Sequence, residues 1–262
     1  MIRGIDHLVI ACADPDAAAA ELASAVGLTV VAGGRHEGMG TFNRIVWLAD
    51  GSYLELLGVD DREAALRTPV GAAAVAALEA HGGGLATWAL RDDELEVTVG
   101  AMAEGSFGPV VHGGRTRPDG EPVEWWAAFP HEPLGPDSVP FLIRHAYVGA
   151  EWGPAALDER ASFRHPLGSP VNLARLDLAT EDPPSTAATL HERLGIDFWA
   201  VADLAVADIG LHVVRLVPRR EMAVPASITL GAAIESPRTV ELLGLRFDVE
   251  RVDLAQPVLD RS

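Results

Sequence analysis

A chain of 262 residues, 48% hydrophobic and 22% charged, can bury a sizeable core and has an ordinary globular balance, as one large domain or two small ones. The net charge of -18, from 38 acidic residues against 20 scattered basic ones, leaves no concentrated Lys/Arg face and excludes nucleic acid as a partner. No apolar run reaches the roughly 18 residues of a spanning helix, Asp6 interrupts the apolar stretch after Arg3 that a leader would need, and the single Cys12 has no disulfide partner. A cytoplasmic protein with no membrane partner is predicted.

In chain order, Ile5–Ala11 reads as an apolar strand ending at Asp14-Pro15, where Asp14 can cap a helix and Pro15 suits its first turn. The helix Asp16–Val26 stops at Gly27, and Thr29–Ala32, Arg44–Leu48 and Tyr53–Val59 follow as strands separated by Gly-containing turns. That order is βαβββ. After a linking helix at Thr68–His81, a second unit has strands at Leu85–Leu90, Pro109–His112, Val123–Phe129 and Val139–His145, with a helix at Asp93–Ala103. Tyr147–Pro170, rich in Pro, Gly and charge, reads as an irregular connector. A third unit starts near Asn172, with a helix at Pro184–Leu194, strands at Phe198–Ala202, Gly210–Val217 and Ser227–Ile234, and one further strand over Thr239–Val249.

Internal repeats support this division. Val30-Val31-Ala32-Gly33-Gly34-Arg35 recurs as Val110-Val111-His112-Gly113-Gly114-Arg115, and the same offset lays His7 over Thr87. A second, longer offset lays Asp14-Pro15 over Asp182-Pro183, Gly27 over Gly195, and His7 over Arg175. The predicted architecture is α+β: tandem βαβββ modules forming cupped, partly open mixed barrels with helices outside. Residues 1–146 hold the paired modules (about 3–60 and 84–146), 147–171 the connector and 172–262 the third module.

Side chains at alternate positions of each strand line such a cup. Glu55 is a lone acid in Tyr53-Leu54-Glu55-Leu56-Leu57, and His7 is a polar residue in strand one. A buried unpaired carboxylate is costly, so Glu55 should face a ligand, a partner such as Arg35 or Arg44, or water. His and Glu are also types that bind divalent metals. The loop Gly33–Asn43 brings several glycines together with His36, Thr41 and Asn43, and His36 can act as acid or base near neutral pH. The cognate loop of module two carries Thr116 in place of His36, which assigns the chemistry to module one.

Ile5-Asp6-His7-Leu8-Val9-Ile10, the stretch Gly33-Gly34-Arg35-His36-Glu37-Gly38-Met39-Gly40-Thr41-Phe42-Asn43-Arg44, and Tyr53-Leu54-Glu55-Leu56-Leu57 together resemble the N-terminal module of the glyoxalase-like domain family, part of the vicinal-oxygen-chelate superfamily. The resemblance implies a cupped small-molecule site. In metal-dependent relatives, a His on the first strand and a Glu on the fourth strand of each module bind one divalent ion. Here His7 and Glu55 match in module one. Module two has Thr87, with Leu142, Ile143 and Arg144 near the expected acid, and module three has Arg175.

Half of a metal site is therefore predicted, a divalent ion on His7 and Glu55 with water or substrate completing it. The other arrangement needs no metal: Arg144 or Arg175 holds a carboxylate substrate. Substrate-binding candidates are Arg35, His36, Thr41, Asn43 and Arg144, and the catalytic candidates are Glu55 and His36. One functional reading is an enzyme of lyase, isomerase or dioxygenase type acting on an oxygen-rich or carbonyl metabolite. The other is a binding protein, drug-sequestering or metabolite-sensing, with a wide aromatic groove at the interface of a homodimer.

Overall fold

The computed structural model describes residues 1–102 and 105–252. Module one consists of β1 (Ile2–Cys12), α1 (Pro15–Ala25), β2 (Val31–His36), β3 (Thr41–Trp47) and β4 (Tyr53–Val59). Asp14 caps α1 as its residue type predicts, its side chain accepting from the N–H groups of Asp16 and Ala17. After a short helix α2 (Arg62–Ala65) and α3 (Pro69–His81), module two runs through β5 (Gly83–Asp92), α4 (Leu95–Ala101), β6 (Val111–Thr116), β7 (Pro122–Ala128) and β8 (Phe141–His145). The end of the helix predicted at Asp93–Ala103 lies outside the described residues.

The two modules close into one barrel of order β1-β4-β3-β2-β6-β7-β8-β5. At one seam His7 faces Ala89 and Val9 faces Thr87 on antiparallel β1 and β5; at the other Arg35 faces Thr116 and His36 faces Arg115 on β2 and β6. The offset that lays Arg35 over Arg115 in the sequence exchanges the members of each pair. The repeat in the sequence is thus the pseudo-twofold axis of the barrel.

The predicted connector is not irregular. It folds as α5 (Gly149–Trp152) and α6 (Pro154–Ser162) and packs on the barrel. The third unit comprises β9 (Val171–Thr180), α7 (Pro183–Leu194), β10 (Trp199–Val201), β11 (Leu204–Ile209) and β12 (His212–Pro218), a complete module. The segment expected as its last strand, β13 (Ala226–Ala232), instead opens a fourth, reduced module. The single strand predicted at Thr239–Val249 divides into β14 (Arg238–Leu242) and β15 (Leu245–Arg251), because Leu243 and Gly244 both take positive φ and make a tight turn.

These strands form a seven-stranded sheet, β10-β11-β12-β9-β13-β15-β14, that stays open. Among the described residues the fourth module has no helix, and the sheet packs against the barrel. Leu8, Leu56 and Trp88 of the barrel and Leu176, Ile228 and Phe247 of the sheet belong to one continuous apolar cluster. Backbone N–H groups cross the junction to buried acceptors: Ile5 to His212 Nδ1 at 2.9 Å and Leu173 to Asp50 Oδ2 at 2.6 Å.

Candidate active site

Two β-bulges determine which side chains reach the barrel interior. On β2, Ala32 pairs with Arg44 and Arg35 with Phe42, so Gly33 and Gly34 together oppose Asn43. The extra residue reverses the alternation beyond it, turning Arg35 outward and His36 inward. On β6 the register is continuous, and Arg115, equivalent in sequence to Arg35, points inward. Only glycine fits at the bulge, since a Cβ on Gly33 would lie 1.8 Å from Asn43 Oδ1.

The bulge also fixes the protons of the site. Gly34 N–H donates to Asn43 Oδ1 at 2.9 Å, so the Asn43 amide turns its NH2 inward. That NH2 donates to Glu55 Oε1 at 2.5 Å and to His36 Nε2 at 3.3 Å. His36 therefore carries its proton on Nδ1, which donates to Thr41 Oγ1 at 2.8 Å, and the Thr41 hydroxyl proton is left to point into the cavity. Burial, and secondarily Arg115, push the His36 pKa down against the opposing pull of Glu55, so its imidazole is neutral near pH 7.

The second bulge lies on β1. Between Ile5 and His7 the pairing with β5 skips a position, so Asp6 and His7, adjacent in sequence, both turn toward the barrel interior. Asp6 Oδ1 accepts from His7 Nδ1 at 2.8 Å and from His145 Nε2 at 3.0 Å, and Arg91 Nε lies 3.4 Å from Oδ2. Burial opposes the Asp6 charge, but the two imidazoles outweigh it and hold the carboxyl well below its usual range. With its Nδ1 proton held by Asp6, His7 presents the Nε2 lone pair, 3.8 Å from Glu55 Oε2; His36 Nε2 lies 3.7 Å from Glu55 Oε1. His7, Asn43 and Glu55 are 3%, 2% and 6% exposed, which makes each of these contacts a low-dielectric one.

Around this floor lies a cavity of about 220 Å³. Tyr53 stacks on His7 with centroids 4.4 Å apart, and Phe141 meets the same imidazole edge-on at 5.4 Å. Burial, then Asp6 and Glu55, raise the Tyr53 pKa well above its usual value, so its hydroxyl is a proton donor. Trp125 lines the cavity, while Trp126 on the opposite face lies under Arg144, as alternation along β7 requires. The connector supplies Glu151, which pairs with Arg115 and Arg117, and Trp152, stacked 3.7 Å from His145.

Of the residues singled out in the sequence, His7, His36, Thr41, Asn43 and Glu55 converge here. Arg144 does not. It lies on the outward face of β8, donating to Glu96 at 2.9 Å. Arg35 is also turned away, 74% exposed and paired with Asp60, and Arg175 belongs to the C-terminal sheet. Asp6, Tyr53, Arg115, Glu151 and Trp152 were not anticipated, and His145, which the sequence offers beside His112 as a third ligand for an ion, is held by Asp6 instead. Asp6 alone left a local signal, an acid beside the histidine of an apolar strand.

The residues do not fit the divalent ion implied for the family. By strand register the counterpart of Glu55 is Phe141, since Val9 pairs with Glu55 and the equivalent Ala89 pairs with Phe141. A phenyl ring and Thr87 thus replace the second ligand pair. Of the remaining pair, Glu55 already accepts from the Asn43 amide through Oε1. Among the described residues, no group of three or more His, Cys, Asp or Glu side chains is arranged to hold an ion.

The sequence matches the glyoxalase-like domain model over residues 5–194, and the chain belongs to that family, within the vicinal-oxygen-chelate superfamily. The architecture is similar to that of a hypothetical protein from Staphylococcus aureus, at a TM-score of 0.78 and 15% identity, covering 96% of this chain and all of the other. Lesser similarity extends to 4-hydroxymandelate synthase from Streptomyces coelicolor (TM-score 0.49, 14% identity, 88% of this chain and 71% of that one). Methylmalonyl-CoA epimerase from Streptomyces coelicolor, in complex with 2-nitronate-propionyl-CoA, aligns with 56% of this chain and 99% of its own at 22% identity and a TM-score of 0.40. No curated protein matches the sequence. Among the described residues no helix is long and apolar enough to cross a membrane.

Proposed function

We propose that the protein is a small-molecule enzyme of the isomerase or lyase type that moves a proton on the carbon next to a carbonyl. The observation that carries this reading is the convergence of Glu55 with two imidazole lone pairs, at 3.8 and 3.7 Å, on the buried floor of the cavity. A general base needs an oxygen or nitrogen lone pair within reach of the proton and shielded from bulk water. Glu55 Oε2, which makes no hydrogen bond in the Asn43 network, takes the C–H proton; the electron pair of that bond passes into a C=C bond as the carbonyl oxygen becomes an enolate. The Tyr53 hydroxyl donates to that oxygen. His36 Nε2, released from its long bond to Asn43, accepts the proton of a hydroxyl next to the carbonyl.

The cavity walled by the strands of a single barrel, with Glu55 and two histidines on its floor, supports this reading over a sequestering protein. The test is exchange of a carbon-bound proton. With 2-hydroxyacetophenone in D2O, the native protein should speed loss of the methylene signal in NMR above the buffer rate, and Glu55→Gln should return it to background. Native protein with no acceleration over a panel of neutral carbonyl compounds overturns the reading.

A further inference from the structure

We infer that the deep end of the cavity recognises a neutral or cationic head group rich in hydrogen-bond donors, such as an ammonium, a primary amide or neighbouring hydroxyls, and discriminates against a carboxylate there. The inference rests on reading this cavity as the ligand site and names the class of ligand for it.

The proton inventory leads to this class. Asp6 takes the Nδ1 proton of His7, which selects the tautomer whose Nε2 accepts. Glu55 Oε1 is already engaged by Asn43, leaving Oε2 as a second acceptor 3.8 Å from His7 Nε2. One heavy atom carrying two hydrogens, or two adjacent hydroxyls, satisfies both acceptors from between them. A carboxylate there would place lone pair against lone pair beside a buried anion, a repulsion that the low dielectric strengthens.

The arginine that a carboxylate would need is committed elsewhere. Arg115, the arginine that a barrel strand contributes to the cavity lining, donates to Gly33 O at 3.2 Å and to Glu151, and Arg91 lies against Asp6. Arg144 and Arg35 face away, paired with Glu96 and Asp60. Arg67 stands beside Thr68 where α3 begins, so an anionic group on the ligand belongs at that end. Phe141, Phe129 and Ile143 form an apolar wall, which adds a hydrophobic body to the head group.

Three probes sharing a phenyl group separate the possibilities by calorimetry: 2-hydroxyacetophenone, phenethylamine as its ammonium ion, and phenylglyoxylate. The first two should bind the native protein at least tenfold more tightly than phenylglyoxylate. Glu55→Gln, which places an amide NH2 where the free acceptor stood, should narrow that preference tenfold or more. Equal binding of the three, preferred binding of phenylglyoxylate, or no binding of any overturns the inference. Preferred binding of the donor-bearing probes without deuterium exchange upholds it while removing the proposed reaction. Exchange that proceeds as well on carboxylate-headed ketones does the reverse.

Discussion

The barrel and the C-terminal sheet are built from the same module and present opposite interiors. In the sheet, Val213 pairs with Arg175 and Arg215 with Asp177, as Tyr53 pairs with His7 and Glu55 with Val9 in the barrel. Arg175 therefore stands where His7 does, and Arg215 where Glu55 does. The C-terminal pair is joined through Asp177, to which Arg175 Nε donates at 3.1 Å and Arg215 Nε at 2.7 Å. Arg246 and Asp248 continue the pattern across the same sheet. Paired charges that keep access to water need little else to be stable. Closure of β2 on β6 buries the side chains of the barrel floor, where a polar group left without a partner is costly and a free lone pair is available to a ligand. Among the described residues the fourth module contributes no strand with which the sheet could close.

The comparison breaks most directly at Glu55. Glu55→Gln should lower proton exchange about 10²- to 10⁴-fold, the usual contribution of a general base, while Arg215→Gln at the equivalent position leaves the rate within about twofold. Circular dichroism of both variants should remain native. An equal loss in both would mean that the C-terminal sheet takes part in the site.

Gly33→Ala tests the bulge that distinguishes β2 from β6. Its Cβ would lie 1.8 Å from Asn43 Oδ1, so either Asn43 or the strand must move. The expected cost is about 2 kcal/mol in urea unfolding, with a lowered exchange rate because Glu55 and His36 lose their shared donor. Full activity in that variant would mean that Asn43 does not set the protons of the site.

Acid should weaken the barrel through its buried imidazoles. Burial lowers the pKa values of His36 and His145 below their unfolded value of about 6.5. Between the lowered values and about pH 6.5 the unfolded chain binds more protons than the folded one, so stability rises with pH there and falls on acidification. Each histidine contributes at most about 1.4 kcal/mol per pH unit. Asp6 acts lower still: its depressed pKa gives stability that is present above about pH 3.9 and lost as the pH falls through the folded value. The melting temperature should drop between pH 7 and pH 5, and His145→Phe should flatten that slope. A melting temperature unchanged over this range would contradict the neutral, buried assignment.

The smallest effects are expected outside the barrel wall. Arg144→Ala and Arg35→Ala each remove a surface ion pair worth about 0–1 kcal/mol and should leave exchange within about twofold. A large loss of rate in either would restore the arginine-held carboxylate that the tautomers of His7 and His36 disfavour.

Much of this arrangement is present in the one-dimensional pattern. The offset that lays Arg35 over Arg115 is the one that relates the members of both barrel seams once the barrel has closed, and the longer offset, which lays Arg175 over His7, agrees with the strand register of the C-terminal sheet. His7 and Glu55 are polar residues placed against an apolar periodicity, a local signal that survives folding because one face of each strand is buried, whereas His36, Thr41 and Asn43 stand out in a glycine-rich stretch that reads as a loop and that the structure gives to the ends of β2 and β3. Facing direction is less secure. Arg35 and Arg144 look equally suited to a ligand, but a single extra residue at Gly33-Gly34 turns the first outward, and plain alternation beside the inward-facing Ile143 and His145 turns out the second. What only the tertiary structure decided is the set of partners: Asp6 between two histidines from opposite ends of the barrel sequence, Phe141 in the place of an acid, and Glu151 from the connector neutralising Arg115. Residue type and periodicity tell which side chains can enter a cavity, because hydrophobic burial acts strand by strand. Which lone pairs remain free once they arrive depends on hydrogen bonds between segments far apart in sequence, and these exist only after the barrel has closed.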